Sequence, residues 1–174
     1  MKKLTASLAL AAALTLLPAQ AASADVLDLS AGVFPDDQLA ALSSSGGSFA
    51  VGGGTLGGTL FFPAEEHFAF SAHLGPNGPS GYAVVSSPTL GEAQGHVCAY
   101  RPGPAGSRAA SFFINVERGS GPLGGFPNLE FLAVDNSPSG APDLLEVGVA
   151  SLCSDITEPT PAPPVVQGNI VVKN

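Results

Sequence analysis

The sequence predicts an all-β domain, a single antiparallel β-sandwich or barrel of about eight or nine short strands. Three observations point there. Short runs of β-forming residues recur from Ser48 to the end of the chain, each bounded by Gly, Pro, Asn or Ser. No segment after Leu42 has the apolar periodicity of a long amphipathic helix, so no crossover helices are available to join parallel strands. The 22 glycines and 16 prolines fall largely between the apolar runs, where turns need them.

The elements follow in order. Met1-Lys2-Lys3, the Ala/Leu-rich run Leu4 to Leu17 and Ala22-Ser23-Ala24 have the layout of a secretory signal peptide over residues 1–24. Cleavage after Ala24 leaves Asp25 as the mature start, and Ala19-Gln20-Ala21 also fits the rule. The apolar run is shorter than the ~20 residues that a spanning helix needs, so no membrane insertion is expected. Residues 25–47 form an N-terminal segment in which Pro35 to Leu42 suits a short helical turn and Ser43 to Gly47 a flexible connector. The β-domain spans 48–174. Its expected strands are Ser48–Val51, Thr59–Phe62, His67–Leu74, Gly81–Ser86, Gly95–Tyr100, Ala109–Glu117, Leu129–Val134, Leu144–Ser151 and Gly168–Lys173. Leu129–Val134 and Leu144–Val149 read as one hairpin. Alternation puts Phe68, Phe70, Ala72 and Leu74 in the core, with Phe112, Ile114, Val116, Leu145, Val147 and Val149, joined by Val97, Ile170 and Val172. A proline-rich spacer at 157–164 precedes the last strand.

All 14 acidic residues lie beyond residue 24, against four basic ones, Arg101, Arg108, Arg118 and Lys173. Nucleic acid and anionic membranes, which need clustered Lys or Arg, are therefore poor partners. Two cysteines in an exported chain imply a Cys98–Cys153 disulfide. Closing a loop of that length is worth about 4 kcal/mol on the chain-entropy estimate. Cys153 shares parity with Leu145 and Val147, which places it inward or close to it.

The hairpin loop carries the candidate metal site. Counting from Asp135, Ser137, Ser139, Asp143 and Glu146 fall at positions 3, 5, 9 and 12, the oxygen spacing of a calcium loop, with Gly140 at 6. Asp135, Asp143 and Glu146 are the candidate calcium ligands. The competing view is an acidic turn in which Asp135 and Asn136 bond their own backbone. His67 and His73, six residues apart in one strand, stand about 20 Å from each other and cannot share a zinc ion. No nucleophile elbow occurs, so no catalytic residue is assigned. Glu65-Glu66 reads as a solvated hairpin tip. The two G-x-G-x-x-G matches, at Gly52/Gly54/Gly57 and Gly119/Gly121/Gly124, open no helix of a βαβ unit and are expected to be turns, so no nucleotide cofactor is expected. Absent tryptophan and only two tyrosines weaken a carbohydrate-stacking surface.

Several short motifs carry a resemblance: Gly46 to Gly54, Phe68-Ala-Phe-Ser-Ala-His73, Gly75 to Tyr82, Val134-Asp-Asn136, Pro142-Asp143 and Gly168-Asn-Ile-Val-Val172. Over residues 46–174 the chain resembles actinobacterial secreted proteins of the choice-of-anchor P and post-anchor-P domain group. The resemblance implies an exported β-domain and transfers no catalytic residues. Those proteins often have Asp-Asn-Gly-Glu-Pro where this chain has Asp135-Asn136-Ser137-Pro138. The expectation is a secreted, non-catalytic module, extracellular or envelope-associated, that meets a protein or glycan partner. Its alternatives are a calcium-stabilised module and a small secreted hydrolase, the latter requiring a concave cluster of a histidine with a serine and an aspartate.

Overall fold

A computed structural model of the chain describes residues 47–57, 65–153 and 163–174. The expected signal peptide, nearly all of the N-terminal segment, the expected strand over 59–62 and most of the proline-rich spacer lie outside the described residues. Eight antiparallel strands form one curled sheet, a half-barrel: β1 Ser48–Leu56, β2 Glu66–Gly75, β3 Gly78–Ser87, β4 Gly91–Pro102, β5 Ala109–Ser120, β6 Asn128–Val134, β7 Leu144–Ala150 and β8 Val165–Lys173, in the order β7-β6-β5-β4-β3-β2-β1-β8. The all-β antiparallel expectation holds, and between its two forms the structure selects a curled sheet over two stacked ones. Several strands run longer than predicted, β1 through the glycine run to Leu56 and β4 out to Pro102.

Packing of large side chains on one face imposes the curl. Phe70 on β2 and Phe112 on β5 are separated by two strands in the sheet, yet their ring centroids lie 5.0 Å apart. Phe131 on β6 stacks on Phe112 at 4.9 Å, with ring planes 4° from parallel. Ala50, Leu56, Phe68, Ala72, Val85, Ile114, Leu129, Leu145 and Ile170 complete the buried interior. Gly52 faces this cluster. A Cβ there would lie 2.9 Å from Phe70 Cζ and 3.0 Å from Ile170 Cγ1, so the missing side chain makes room for the Phe70 ring. The glycines at 52–54 are thus strand residues, correcting their expected place in a turn, whereas Gly121, at φ 60°, does turn the chain. One end of the interior is plugged by Leu123, on a short 3-10 turn Leu123–Gly125 whose first N–H bonds Leu90 O.

Strand tilt leaves a stagger where the two edges of the sheet meet. Leu144, the first residue of β7, bridges Pro164, just before β8, and the contact continues as Leu145 N to Pro163 O and Val165 N to Asp143 O. Because that pairing is antiparallel, β8 runs on past the start of β7 and lies beside the β6–β7 loop. Val149, expected in the core, is 56 % exposed for the same reason: it stands on β7 beyond the point where β8 begins. The cysteines lie at the margin of the interior. Cys98 and Cys153 come to bonding distance as expected, with Cα atoms 6.1 Å apart. The pair is half-buried outside the interior cluster, because Cys98 sits at a register shift in β4 and β7 ends three residues before Cys153.

Phe112→Ala, which empties the centre of the ring cluster, is expected to cost about 3–5 kcal/mol in urea unfolding. An unchanged midpoint would mean that the ring cluster does not hold the sheet in its curl.

Candidate functional site

The β6–β7 loop builds the most organised polar site among the described residues. Each β-strand directs alternate N–H groups to opposite sides. On β8 one set meets β1, and on the other side two of the buried N–H groups meet side chains. Ile170 N donates to Asp143 Oδ2 at 2.7 Å, and Val172 N donates to Asp135 Oδ2 at 3.2 Å. Asp143 Oδ1 accepts Asn136 N at 2.8 Å. Asp135 Oδ1 accepts Ser137 N at 3.0 Å and Ser137 Oγ at 2.5 Å, and its Oδ2 accepts Arg108 Nε at 3.0 Å and Arg108 Nη2. Asp135 N in turn bonds Arg108 O at 2.8 Å, extending the β5–β6 ladder by one residue. The two carboxylates, 3 % and 7 % exposed, therefore replace a ladder partner along β8.

Burial alone would raise the Asp135 carboxyl, but Arg108, the Ser137 hydroxyl and the backbone N–H groups of Val172 and Ser137 outweigh it and hold the group below the ordinary carboxylate range. The same donors decide the fate of the expected calcium site. A carboxylate offers about four lone-pair directions, and Asp135 already meets donors from three residues. Ser139 Oγ is turned to the backbone, donating to Asn136 O and accepting Ala141 N. Glu146, opposite Leu132 and between the buried Leu145 and Val147, projects from the outer face. Asp135 and Asp143 thus come together and Glu146 does not join them. This donor set does not fit a calcium ion needing six to eight oxygens, and among the described residues no three His, Cys, Asp or Glu side chains are grouped to hold a metal.

A second polar surface covers the outer, convex face of β2 to β5. Register places Ser71, Tyr82, His96 and Asn115 in one row across four strands. Tyr82 and His96 meet edge to face at 5.0 Å, Tyr82 Oη donates to Gln94 Oε1 at 3.0 Å, and His96 Nδ1 lies 2.7 Å from Glu117 Oε1. Ser71 Oγ lies 2.8 Å from His73 Nε2, a contact between next-but-one neighbours on one face of a strand, and the ring of Phe49 lies 6.4 Å from that of His73. His67, on the same face, is exposed and contacts Thr55 Oγ1 through Nδ1 at 3.2 Å. All three histidines therefore sit on the convex side, while Asp135 and Asp143 close the sheet edge. The concave histidine–serine–aspartate cluster that a hydrolase requires is not assembled from them.

Glu66 is the residue that sequence reasoning missed. Expected at a solvated tip, it is 1 % exposed, because β2 begins one residue earlier than predicted and Glu66 shares the inward face of Phe68 and Phe70. That parity was visible in the sequence. Among the described residues no group hydrogen-bonds Glu66 Oε1 or the buried Tyr100 hydroxyl, and desolvation pushes the Glu66 carboxyl up to about 7. No protein-family model matches this chain, and no curated protein or solved structure matches it significantly.

Two outcomes are expected. Asp143→Ala strands the N–H groups of Ile170 and Asn136 and should cost about 1–3 kcal/mol, while the wild type should melt at the same midpoint in millimolar calcium and in chelator; a calcium-dependent rise in the wild type that Asp143→Ala abolishes would restore the ion site. The depressed Asp135 carboxyl adds stability that is fully present above its unfolded value of about 3.9 and is lost as pH falls through the folded value. Asp135→Asn should therefore flatten the acid limb of the stability curve, measured by urea unfolding from pH 2.5 to 6, and an unaltered limb would remove Asp135 from that role.

Proposed function

We propose that this protein is an exported, non-catalytic β-module that binds an extracellular or envelope partner, protein or glycan, through the outer face of β2 to β5. The observation that carries this reading is the network on that face: Tyr82, Gln94, His96 and Glu117 hold one another in fixed positions at the surface, on a sheet whose opposite face is filled with phenylalanine. Side chains already ordered before contact lose little rotamer freedom on binding. Aromatic rings with a polar edge, flanked by amide and carboxylate groups, suit a partly polar partner. The layout of residues 1–24 supports export, and the resemblance to secreted anchor-P proteins supports an envelope setting. The scarcity of basic residues disfavours nucleic acid.

The test is sedimentation of the purified mature chain with cell-envelope fractions and with isolated envelope polysaccharide, comparing wild type with a Tyr82→Ala/His96→Ala variant. Loss of at least tenfold in affinity with an unchanged melting midpoint is the expected result. Binding that survives the double substitution would move the interface elsewhere, and absence of binding by the wild type to either fraction would refute the envelope role.

A further inference from the structure

The interior of the sheet holds a carboxyl group that the binding face does not use. Glu66 opens β2 at the end of the half-barrel formed by Leu56 of β1, Ser87 of β3, Gly91 of β4 and Val165 of β8. Its inward neighbours there are apolar: Leu56 directly opposite it, then Phe68, Val85, Ala93, Leu123 and Val165, with Ser87 the one buried hydroxyl. Among the described residues no basic group faces it from any of these elements. Glu65, just before β2, and His67 on it are exposed, on β4 Glu92 is exposed on the outer face, and the other inward titratable group, Tyr100, lies on β4 opposite Phe112. A charged carboxylate finds no counter-ion among the described residues around it, whereas a protonated one costs far less to bury. The backbone at this end is also irregular: the β1–β8 register shifts between Thr55 and Leu56, and Leu56 is Glu66's partner.

We infer that Glu66 is a proton-operated latch for this end of the half-barrel: protonated, it stays inside and the β1–β2–β8 end is closed; ionised, it is drawn to water and that end opens while the phenylalanine cluster stays intact. The binding face on β2 shares this strand, so the latch couples the ambient pH to the order of the strand that carries His67, Ser71 and His73. This inference stands apart from the identity of any partner.

The sign follows from proton linkage. The closed state holds a proton that the open state, with an ordinary glutamate value of about 4.3, releases. Opening therefore grows by up to tenfold per pH unit above that value and levels off once the buried group, pushed up to about 7, is itself ionised. Burial stability from this group is fully present below about pH 4.3 and is lost as pH rises through 7.

The experiment is amide hydrogen exchange of the full mature chain between pH 5 and 8, corrected for intrinsic rates, for wild type and Glu66→Gln. In wild type, protection of Leu56, Phe68 and Gln167 should fall by at least tenfold from pH 5 to 7, while Phe112 and Phe131 stay constant. In Glu66→Gln, which cannot ionise, all five should be independent of pH. A pH-independent wild type, or an equal fall in the variant, overturns the latch. Should the variant fail to fold, carbon-13 titration of the wild-type Glu66 carboxyl decides: a midpoint near 7 supports the latch, and one near 4.3 in the folded protein refutes it.

Discussion

Two carboxylates take the place of a missing strand. A tilted, curled sheet meets its own far edge out of step, so β8 passes the start of β7 at Leu144 and, among the described residues, continues with no backbone ladder on its side away from β1. Buried N–H groups cannot be left without acceptors at a tolerable cost. Asp135 and Asp143 supply those acceptors, to Val172 and Ile170, from a loop that the stagger brings alongside. Much of the rest depends on this. The loop must be long enough to rise beside β8, Arg108 must approach from the β4–β5 connection to balance the charge, and Asn174 Nδ2 bonds Ser107 O and Ala109 O at 3.0 Å on the same side, tying the end of β8 to the start of β5.

The seam also explains why the oxygens of an acidic loop with calcium-like spacing do not converge as an ion-binding set in this fold. Ion binding requires oxygens that converge on empty space, whereas these converge on N–H donors of the protein itself. The serines at the intermediate positions close local turns, one through Asp135 and one through Asn136. The acidic spacing is a consequence of where the edge of β8 needs acceptors.

Polar chemistry and apolar packing are segregated by the sheet. Its concave face is filled by stacked phenylalanines and leaves Glu66 and Tyr100 as the inward ionisable side chains of the strands, while histidines, Tyr82 and Gln94 stand on the convex face. The two buried carboxyl environments bound the fold in opposite directions: Asp135, surrounded by donors, favours its charged form and is weakened by acid, whereas Glu66, surrounded by hydrocarbon, favours its neutral form and is weakened by base. Fold alone does not fix the partner, since one β-scaffold serves many functions.

Much of this architecture is local in origin and therefore legible in the sequence. Period-2 alternation located β2 and the inward set Phe68, Phe70, Ala72; the Gly and Pro clusters marked the turns; and two cysteines in a chain with an export-like start named their own pairing. Asp135 and Asp143 were legible as a special pair, and their turn with Ser137 as well, because the chemistry of an acidic loop is written in neighbouring residues. The donors that they serve were not, because Ile170 and Val172 lie 27 and 37 residues away and meet them only through the stagger of a closed sheet. The same holds for Val149, inward by parity yet exposed where β7 runs on beyond its contact with the start of β8. Glu66 shows the boundary most sharply: its parity with Phe68 was in the sequence, but a carboxylate at the first residue of a strand reads as solvent-facing until the curl of the sheet closes over it. Periodicity is a property of the chain, and which side is enclosed, and where the edges meet, are properties of the whole sheet.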